Sequence, residues 1–235
     1  GVELGRGRNA LGADRDRNGA SAAVLFAHYA GQLGEAGKYR LGASLLATST
    51  RGPGTEIRDT DPRGVEVRNR FHGDIRVAGL DFHSQWGARG PLGAPVLSLQ
   101  GEYFRTRHAG HLAYDTTAVA LGPVDSTHEA RRSGAYAQAV WQFIPAWRVG
   151  LRYDRLSSGR QSVGSANAAN VVPRSHRPDR TSLMLDYELA EASRIRFQLN
   201  RDRARLGAPD TQFFVQYVVT FGGELPASAQ PSKSQ

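Results

Sequence analysis

The chain has 235 residues, of which 40% are apolar, and it carries 27 glycines, no cysteine and a formal net charge of +8. No run of apolar residues approaches the roughly 18 that a membrane-spanning helix needs, which excludes a helical membrane protein, and the lack of cysteine excludes disulfide frameworks and thiolate metal sites. The mean hydropathy of -0.46 does not exclude a transmembrane β-barrel, because only every second residue of such a chain faces lipid.

The positive charge alone would suggest nucleic-acid binding. Its distribution argues against that function, because much of the excess lies in segments that we interpret as loops. These arginines are Arg6, Arg8, Arg15, Arg17, Arg63, Arg68, Arg70, Arg131, Arg132, Arg174, Arg177 and Arg180. The pattern is typical of a rim of loops and not of a recognition helix, so we expect no nucleic-acid partner.

Alternation of apolar and polar residues predicts a series of strands, most of them about as long as a tilted strand needs to cross a bilayer. After a stub at 1–8, we place strands at about 21–33, 38–49, 74–86, 95–107, 133–144, 146–156, 182–189, 195–202 and 211–222. In 146–156, Trp147, Val149 and Leu151 alternate with Arg148, Gly150 and Arg152. One face of each strand suits lipid and the other suits water.

The connections between these strands alternate in length. Tight turns are predicted at 34–37, 87–94, 144–146 and 191–193, long polar loops at 50–73, 108–132 and 158–179, and a shorter outer loop at 205–210. Short periplasmic turns and long extracellular loops are typical of outer-membrane barrels. The sequence therefore predicts an all-β fold, an antiparallel transmembrane β-barrel with about ten strands in this chain, located in the bacterial outer membrane.

Aromatic residues lie mostly near the ends of the predicted strands, as in the interfacial girdles of barrels, although aromatics are also common in strands generally. In the last strand, Tyr217, Val219 and Phe221 resemble the terminal signal that the barrel assembly machinery recognises. A polar tail follows. We predict a barrel domain over 1–222 and a disordered tail over 223–235.

Several stretches resemble one group of proteobacterial outer-membrane proteins. They are 71–82 (FHGDIRVAGLDF), 99–105 (LQGEYFR), 147–156 (WRVGLRYDRL) and 180–186 (RTSLMLD). The group is similar in architecture to the phosphate-selective porins, and its members are often left uncharacterised or loosely labelled TonB-dependent receptors. A TonB-dependent receptor would need a plug domain and about 22 strands, which this chain does not fit.

The resemblance covers most of the chain from Gly1 to Phe221 and implies further strands upstream, since Gly1-Val2-Glu3-Leu4 looks like the middle of a barrel in that group. The expectation is a chain that is incomplete at its N-terminus and forms the C-terminal portion of a larger barrel. About 16 strands would enclose an aqueous channel.

The polar faces of the predicted strands define the candidate lumen-facing residues. These are Arg40, Asp81, His83, Glu102, Arg148, Arg152, Asp154, Asp186, Glu188, Arg196 and Asp202. Their charge is mixed and slightly acidic, which does not favour the anion selectivity that the basic composition suggests. Charges of both signs on neighbouring strands also fit a wall held by salt bridges.

A second group of arginines lies towards the predicted outer ends of the strands. They are Arg105, Arg107, Arg155, Arg201 and Arg203, with Arg205 just beyond. Guanidinium groups bind phosphate bidentately, and lipopolysaccharide phosphates lie at this level. We therefore interpret these residues as outer-rim phosphate contacts; recruitment of anionic solutes to a pore mouth is the alternative.

Histidines offer weaker hypotheses. His108 and His111 have an i, i+3 spacing in a predicted loop without a further ligand, so no metal site or cofactor is expected. A barrel hydrolase would need a His beside a Ser, and His83-Ser84 with Asp81 nearby is the candidate. Adjacent strand residues point to opposite faces, so His83 and Ser84 cannot cooperate, and no enzyme is predicted.

The combined prediction is a porin-like channel for passive diffusion of small hydrophilic solutes, with anions as one option. Its expected partners are outer-membrane lipid and lipopolysaccharide, the barrel assembly machinery and the solutes themselves. A structural or adhesive barrel whose loops contact partners is the alternative, followed by a barrel hydrolase.

Overall fold

The computed structural model describes residues 1–5, 22–87, 95–120, 122–172, 176–190, 192–205 and 207–220, with the backbone alone at 51–53. The described chain forms ten strands and one short 3-10 helix, Ser165–Asn167. The strands are β1 Val2–Gly5, β2 Ala22–Leu33, β3 Gly37–Thr60, β4 Glu66–Trp86, β5 Val96–Tyr114, β6 Val124–Ile144, β7 Trp147–Val163, β8 Asp179–Ala190, β9 Ser193–Asp202 and β10 Asp210–Val219. Within these ranges no helix is long and apolar enough to cross a membrane.

The ten strands form a single antiparallel sheet in the order of the sequence, each strand paired with the next. The predicted all-β antiparallel fold is confirmed. Strands β1 and β10 are the two edges of the sheet and do not pair with each other in the part of the chain that the structure describes. The sheet is therefore open, as part of a larger up-and-down barrel would be.

The two ends of the sheet differ. One end, here called the turn end, carries tight connections at 34–36 and 145–146. At the first of these, Gly34 has a φ of 64°, a left-handed conformation that favours glycine. The other end, here called the hairpin end, carries the β3–β4, β5–β6 and β7–β8 connections. The tight turns predicted at 34–37 and 144–146 are present at 34–36 and 145–146, whereas residues 88–94 of the turn predicted at 87–94 lie outside the described residues.

The long polar loops predicted at 50–73 and 108–132 are wrong, and the loop at 158–179 begins later than predicted. β3 continues to Thr60 and β4 begins at Glu66, so most of the first segment is a hairpin. Residues 108–114 belong to β5, 124–132 to β6 and 158–163 to β7. Their outward residues are charged, and this polarity led to the loop interpretation. Apolar residues nevertheless continue at every second or fourth position on the inner face, as at Val67, Phe71 and Ile75.

A small hydrophobic core holds the hairpin end together. It consists of Val67, Phe71, Ile75, Leu112, Tyr114 and Val171, all nearly inaccessible to solvent. Val171 belongs to the connection after β7, which folds back over the inner face of β4, β5 and β6. Asn167 fixes this connection, because its fully buried Nδ2 donates to the Val124 carbonyl and to Ser126 Oγ, both at 2.9 Å.

Buried carboxylates order two connections at the hairpin end. Asp115 accepts hydrogen bonds from the backbone N–H groups of Val119, Ala120 and Gly122 at 2.8–3.0 Å. Asp61 accepts from the N–H of Val65 at 2.8 Å, and this bond holds the pKa of the Asp61 carboxyl below its usual range. The hairpin end is therefore a packed and hydrogen-bonded layer.

Candidate functional site

The sheet has two chemically different faces. Side chains alternate along each strand, and the register places the apolar residues of neighbouring strands on one face and the polar residues on the other. One face, here called the apolar face, presents large exposed hydrophobic side chains on nearly every strand. They include Leu25, Tyr29, Leu41, Leu45, Leu80, Phe82, Tyr103, Trp141, Leu151, Tyr153, Leu183, Leu185, Phe197, Leu199, Val215 and Tyr217. The opposite face, here called the polar face, carries most of the charged and amide side chains between the turn end and the middle of the strands.

All eleven residues that the sequence assigned to the lumen lie on the polar face. A central row, defined by the backbone register, runs His28, Gly42, Asp81, Glu102, Tyr136, Asp154, Arg180, Asp202 and Asp210. The next row towards the turn end runs Arg40, His83, Gln100, Gln138, Arg152, Ser182, Asn200 and Gln212. A third row joins Arg148, Asp186 and Arg196 across β7, β8 and β9.

Sequence reasoning missed several residues of this face, including Arg180, Arg194 and Asp210. The strand predicted at 182–189 begins three residues too late and the one at 195–202 begins two residues too late, so Arg180 and Arg194 were left in connections. A signal was present in the sequence, because residues an even number apart on a strand lie on the same face. Arg180 lies six residues before Asp186, and Arg194 lies two before Arg196. Extending the alternation by one residue pair would have found both.

Asp186 is the most strongly paired carboxylate of the polar face. Arg196 donates to it through two nitrogens at 2.7 and 2.9 Å, and Arg194 Nε lies 3.7 Å from its Oδ2. The Asp186 side chain is only 3% exposed. Two parallel guanidinium hydrogen bonds form a bidentate pair, which is a strong geometry for an arginine and a carboxylate, so the buried charge of Asp186 has two guanidinium neighbours.

A second cluster surrounds Tyr136 in the central row. The guanidinium carbon of Arg152 lies 3.8 Å from the centroid of the Tyr136 ring, and Arg152 Nε donates to Asp154 at 2.9 Å. The Tyr136 hydroxyl donates to Glu102 Oε1 at 2.9 Å. The tyrosine ring therefore links the charges of β5 and β7 across β6.

Further pairs join charges on different strands of the polar face. Arg180 Nε donates to Asp202 at 2.9 Å, and Arg148 forms an ion pair with Glu188. Asp81 lies 3.6 Å from Arg40 Nη2 and 3.7 Å from His28 Nε2. Ion pairing thus neutralises much of the polar face locally, as the alternative of a salt-bridged wall predicts.

A cavity of about 790 Å³ lies along the polar face. Its lining comes from six consecutive strands, β4 to β9, so the sheet is concave on this side. Between the ion pairs, the cavity is lined by amide and hydroxyl side chains that can bind water or solute. They are Gln85, Ser98, Gln138, Gln142, Ser182 and Gln198.

The arginines predicted at the outer rim do not form one group. Arg105, Arg107, Arg155 and Arg201 project from the apolar face in the half of the strands nearer the hairpin end. Arg203 follows the end of β9, with Nη1 3.9 Å from Asp179.

Within the described ranges, the histidines of the strands lie on both faces of the sheet. His108 and His111 lie on opposite faces of β5, and no group of three metal-ligating side chains occurs among the described residues. His83 Nε2 lies 3.4 Å from Ser98 Oγ, while Ser84 faces the other way. Among the residues described, no carboxylate contact orients the His83 ring, so the arrangement lacks the third member of a hydrolase triad.

His108 and His128 have a structural role at the hairpin end. Their rings flank Phe71 with centroid distances of 5.4 and 5.7 Å. Burial lowers the pKa of each imidazole, and the neighbouring Arg132 lowers both further. Both rings are therefore favoured in the neutral form.

The residues predicted as an assembly signal fall on the edge strand. Tyr217 and Val219 lie in β10, where Tyr217 is largely exposed on the apolar face. Phe221 and the tail at 223–235 lie outside the described residues.

Comparison with known proteins adds little to this geometry. No family model matches the chain. An uncharacterized protein of Aquifex aeolicus (strain VF5) is 29% identical over 142 residues, which cover 59% of this chain and 27% of that relative. The chain thus matches about a quarter of the length of the relative, and that name carries no activity. The resemblance to the phosphate-selective porin-like group stays a prediction.

Proposed function

We propose that this chain is part of a porin-like β-barrel of the bacterial outer membrane that lets small hydrophilic solutes diffuse passively. The observation that carries the proposal is the division of the sheet into an apolar face and a concave polar face over the same residues of the same strands. A soluble protein would bury the apolar face against a second layer. In a barrel, that face meets lipid and the polar face lines water.

The dimensions of the apolar face support the proposal. Trp86, Leu97 and Trp141 form one register row on the apolar face near the turn end. Ten residues further along the same strands lie Arg76, Arg107 and Arg131. Ten residues extend roughly 33 Å along a strand, or about 25 Å along the barrel axis at a tilt of about 40°. This matches the height of the apolar band in outer-membrane barrels. In this sheet, aromatic residues lie at one margin of the band and arginines at the other.

The charge arrangement of the polar face favours weak ion selectivity. Basic and acidic residues both occur, and the pairs Arg196–Asp186, Arg180–Asp202 and Arg148–Glu188 cancel at short range. A solute that passes such a wall meets polar side chains and alternating charges, with no extended field of one sign. The proposed substrates are therefore small hydrophilic solutes, with no strong preference for anions despite the basic composition.

Single-channel recording tests the proposal. The full protein, refolded and inserted into planar bilayers, is expected to give discrete conductance steps. Under a salt gradient, we expect a reversal potential near zero. Insertion is checked independently by the heat-dependent shift in gel migration that folded barrels show. Inserted protein that gives no steps at any voltage would contradict the channel function while leaving the barrel intact.

One observation favours a second candidate, a structural or adhesive barrel. The hairpin end is a packed layer with its own core around Phe71 and Tyr114, and not a set of loose loops. A rigid platform of this kind suits contact with a partner. In that case, the inserted protein would be silent in planar bilayers, and substitutions on the exposed side of the β3–β4 hairpin would abolish adhesion to a surface or cell.

A further inference from the structure

Four arginines lie side by side on the apolar face. In the backbone register, Arg76 is opposite Arg107, Arg107 is opposite Arg131, and Arg131 is opposite Arg160. We call these residues the arginine row. Residues directly opposite each other on adjacent strands have Cβ atoms about 4.5–5.5 Å apart, and like charges in such pairs destabilise the sheet. A row of four cations therefore needs a source of negative charge.

The protein supplies only part of that charge. Glu129 accepts hydrogen bonds from Arg107 Nε at 3.1 Å and from Arg131 Nη2 at 2.8 Å, so a single carboxylate serves two arginines. Within the described residues, no carboxylate forms an ion pair with Arg76 or Arg160. All four guanidinium groups belong to exposed residues. The row therefore presents unneutralised and accessible positive charge at both of its ends.

The position of the row identifies the kind of anion. Together with Arg105, which lies two residues nearer the turn end on the same face, it marks the margin of the apolar band opposite the aromatic row of Trp86 and Trp141. It also lies towards the hairpin end, which corresponds to the outer leaflet because barrels carry their longer connections outside. Lipid headgroup phosphates lie at that margin. Planar guanidinium groups bind phosphate oxygens bidentately, whereas a shared carboxylate leaves part of their capacity unused.

An apolar depression lies directly below the row. Its volume is about 750 Å³, and its lining includes Ala43, Leu80, Tyr103 and Ala135, which share one register row. Residues of the central row, His28, Asp81, Glu102 and Tyr136, also border it. This row is four residues along the strands from the arginine row, towards the turn end. Small alanine side chains between larger apolar ones leave space for hydrocarbon chains. The cations and the depression together have the shape of a lipid: an anionic head above several acyl chains.

We propose that the arginine row binds the phosphate groups of an anionic glycolipid of the lipid A type in the outer leaflet. The proposal rests on the proposed outer-membrane location and adds a specific lipid site to it. Phosphate bound between neighbouring arginines replaces their mutual repulsion with charge-assisted hydrogen bonds. Glu129 keeps the two central guanidinium groups in place for this contact.

The test compares two double variants with the same change in charge. Arg76→Gln with Arg160→Gln removes the two arginines of the row that have no carboxylate partner. Arg58→Gln with Arg68→Gln is the matched control, because these residues lie opposite each other on the same face further towards the hairpin tip. Each protein is refolded in detergent, and its binding to diphosphorylated and to enzymatically dephosphorylated lipid A is measured by native mass spectrometry.

We expect the row variant to bind diphosphorylated lipid A about tenfold more weakly than the unaltered protein, and the control variant to change less than twofold. Dephosphorylated lipid should bind all three proteins equally weakly. Equal loss in both variants, no loss in the row variant, or full displacement by millimolar inorganic phosphate would overturn the lipid site. Conductance of the row variant separates the two proposals, because a lipid site can fail in a protein that still forms channels.

Discussion

Arg152 lies over the ring of Tyr136, with its guanidinium carbon 3.8 Å from the ring centroid, and at the same time donates to Asp154. The ring and the carboxylate thus hold one guanidinium group from two sides. A cation over an aromatic face contributes about 0.5–1 kcal/mol at an exposed site. Because the Tyr136 hydroxyl also binds Glu102, this one side chain positions charges on two other strands.

Substitution of Tyr136 separates these two contributions. Tyr136→Phe removes the hydrogen bond to Glu102 and keeps the ring under Arg152. We therefore expect the mean single-channel conductance and the width of its distribution to change little. Tyr136→Ala also removes the ring and frees the Arg152 side chain, so we expect a wider distribution of single-channel conductance. Equal effects of the two variants would show that the ring does not position Arg152.

In the proposed channel, neutralising Asp186 should shift ion selectivity towards anions. Asp186→Asn leaves Arg194 and Arg196 without their shared carboxylate, and the reversal potential under a salt gradient should shift in the direction of anion selectivity. We also expect a loss of about 2 kcal/mol in the free energy of unfolding by urea, because hydrogen bonds to charged groups are lost. Asp210→Asn is the matched control: it removes the same charge from an exposed residue that hydrogen-bonds only Gln212 among the described side chains. A selectivity shift as large in the control would contradict the assignment to Asp186.

Removal of the Asn167 amide should release the connection after β7. Asn167→Ala deletes the two 2.9 Å hydrogen bonds from Nδ2 and a longer one of 3.4 Å to the Leu112 carbonyl, so the carbonyl of Val124 and the buried hydroxyl of Ser126 lose this donor. We expect a local destabilisation of about 2 kcal/mol and faster protease cleavage between β7 and β8. Asn170→Ala serves as the comparison, since Asn170 donates one longer bond of 3.4 Å. If protease cleaves the connection between β7 and β8 at the same rate in both variants, this role of Asn167 is contradicted.

Acid should loosen the hairpin end. The pKa values of His108 and His128 are lowered in the folded chain, chiefly by burial and then by Arg132, with His108 also lowering the pKa of His128, so the unfolded chain binds protons at a higher pH than the folded chain. Their neutral forms allow full stability at neutral pH, and stability is lost as pH falls below about 6.5. Hydrogen exchange of β5 and β6 beyond the arginine row should therefore be faster at pH 5 than at pH 7, after correction for the intrinsic rate.

The double variant His108→Gln with His128→Gln tests the cause. It should have the same corrected exchange at both pH values, even if its stability at pH 7 is lower. His111 supplies the control, because it lies on the outward face of β5 near Asp125 and its replacement leaves the two buried rings in place. An unchanged pH response in the double variant would assign the effect to other groups.

The sequence predicted the strands and the facing of their residues because both depend on local alternation, which is visible in one chain. Arg148, Arg152 and Arg196 needed no knowledge of their neighbours to be placed on the polar face. The extent of β3, β4, β5 and β6 was not predictable in the same way. Their outer halves have charged residues outward and are stabilised from the inner side by Val171 and Asn167, which come from a distant part of the chain.

Register explains the other differences. Arg107 was predicted as a rim residue from its place near a strand end, yet its neighbours Arg76, Arg131 and Arg160 depend on three separate strand pairings. A shift of one residue in any of these pairings would turn one arginine to the inner face. Such relationships are fixed by the packed sheet as a whole, and alternation within single strands does not contain them.

For the proposed membrane barrel, the order of the strands in the sheet also affects how the chain can enter a bilayer. Arg196–Asp186, Arg180–Asp202 and Arg148–Glu188 each join strands that follow one another in the chain, so a newly formed hairpin or its next strand already holds both members of each pair. Isolated charges are expensive to transfer into hydrocarbon. Stepwise addition of hairpins would carry most of these charges across as neutral pairs, which lowers the barrier to insertion before any aqueous interior exists.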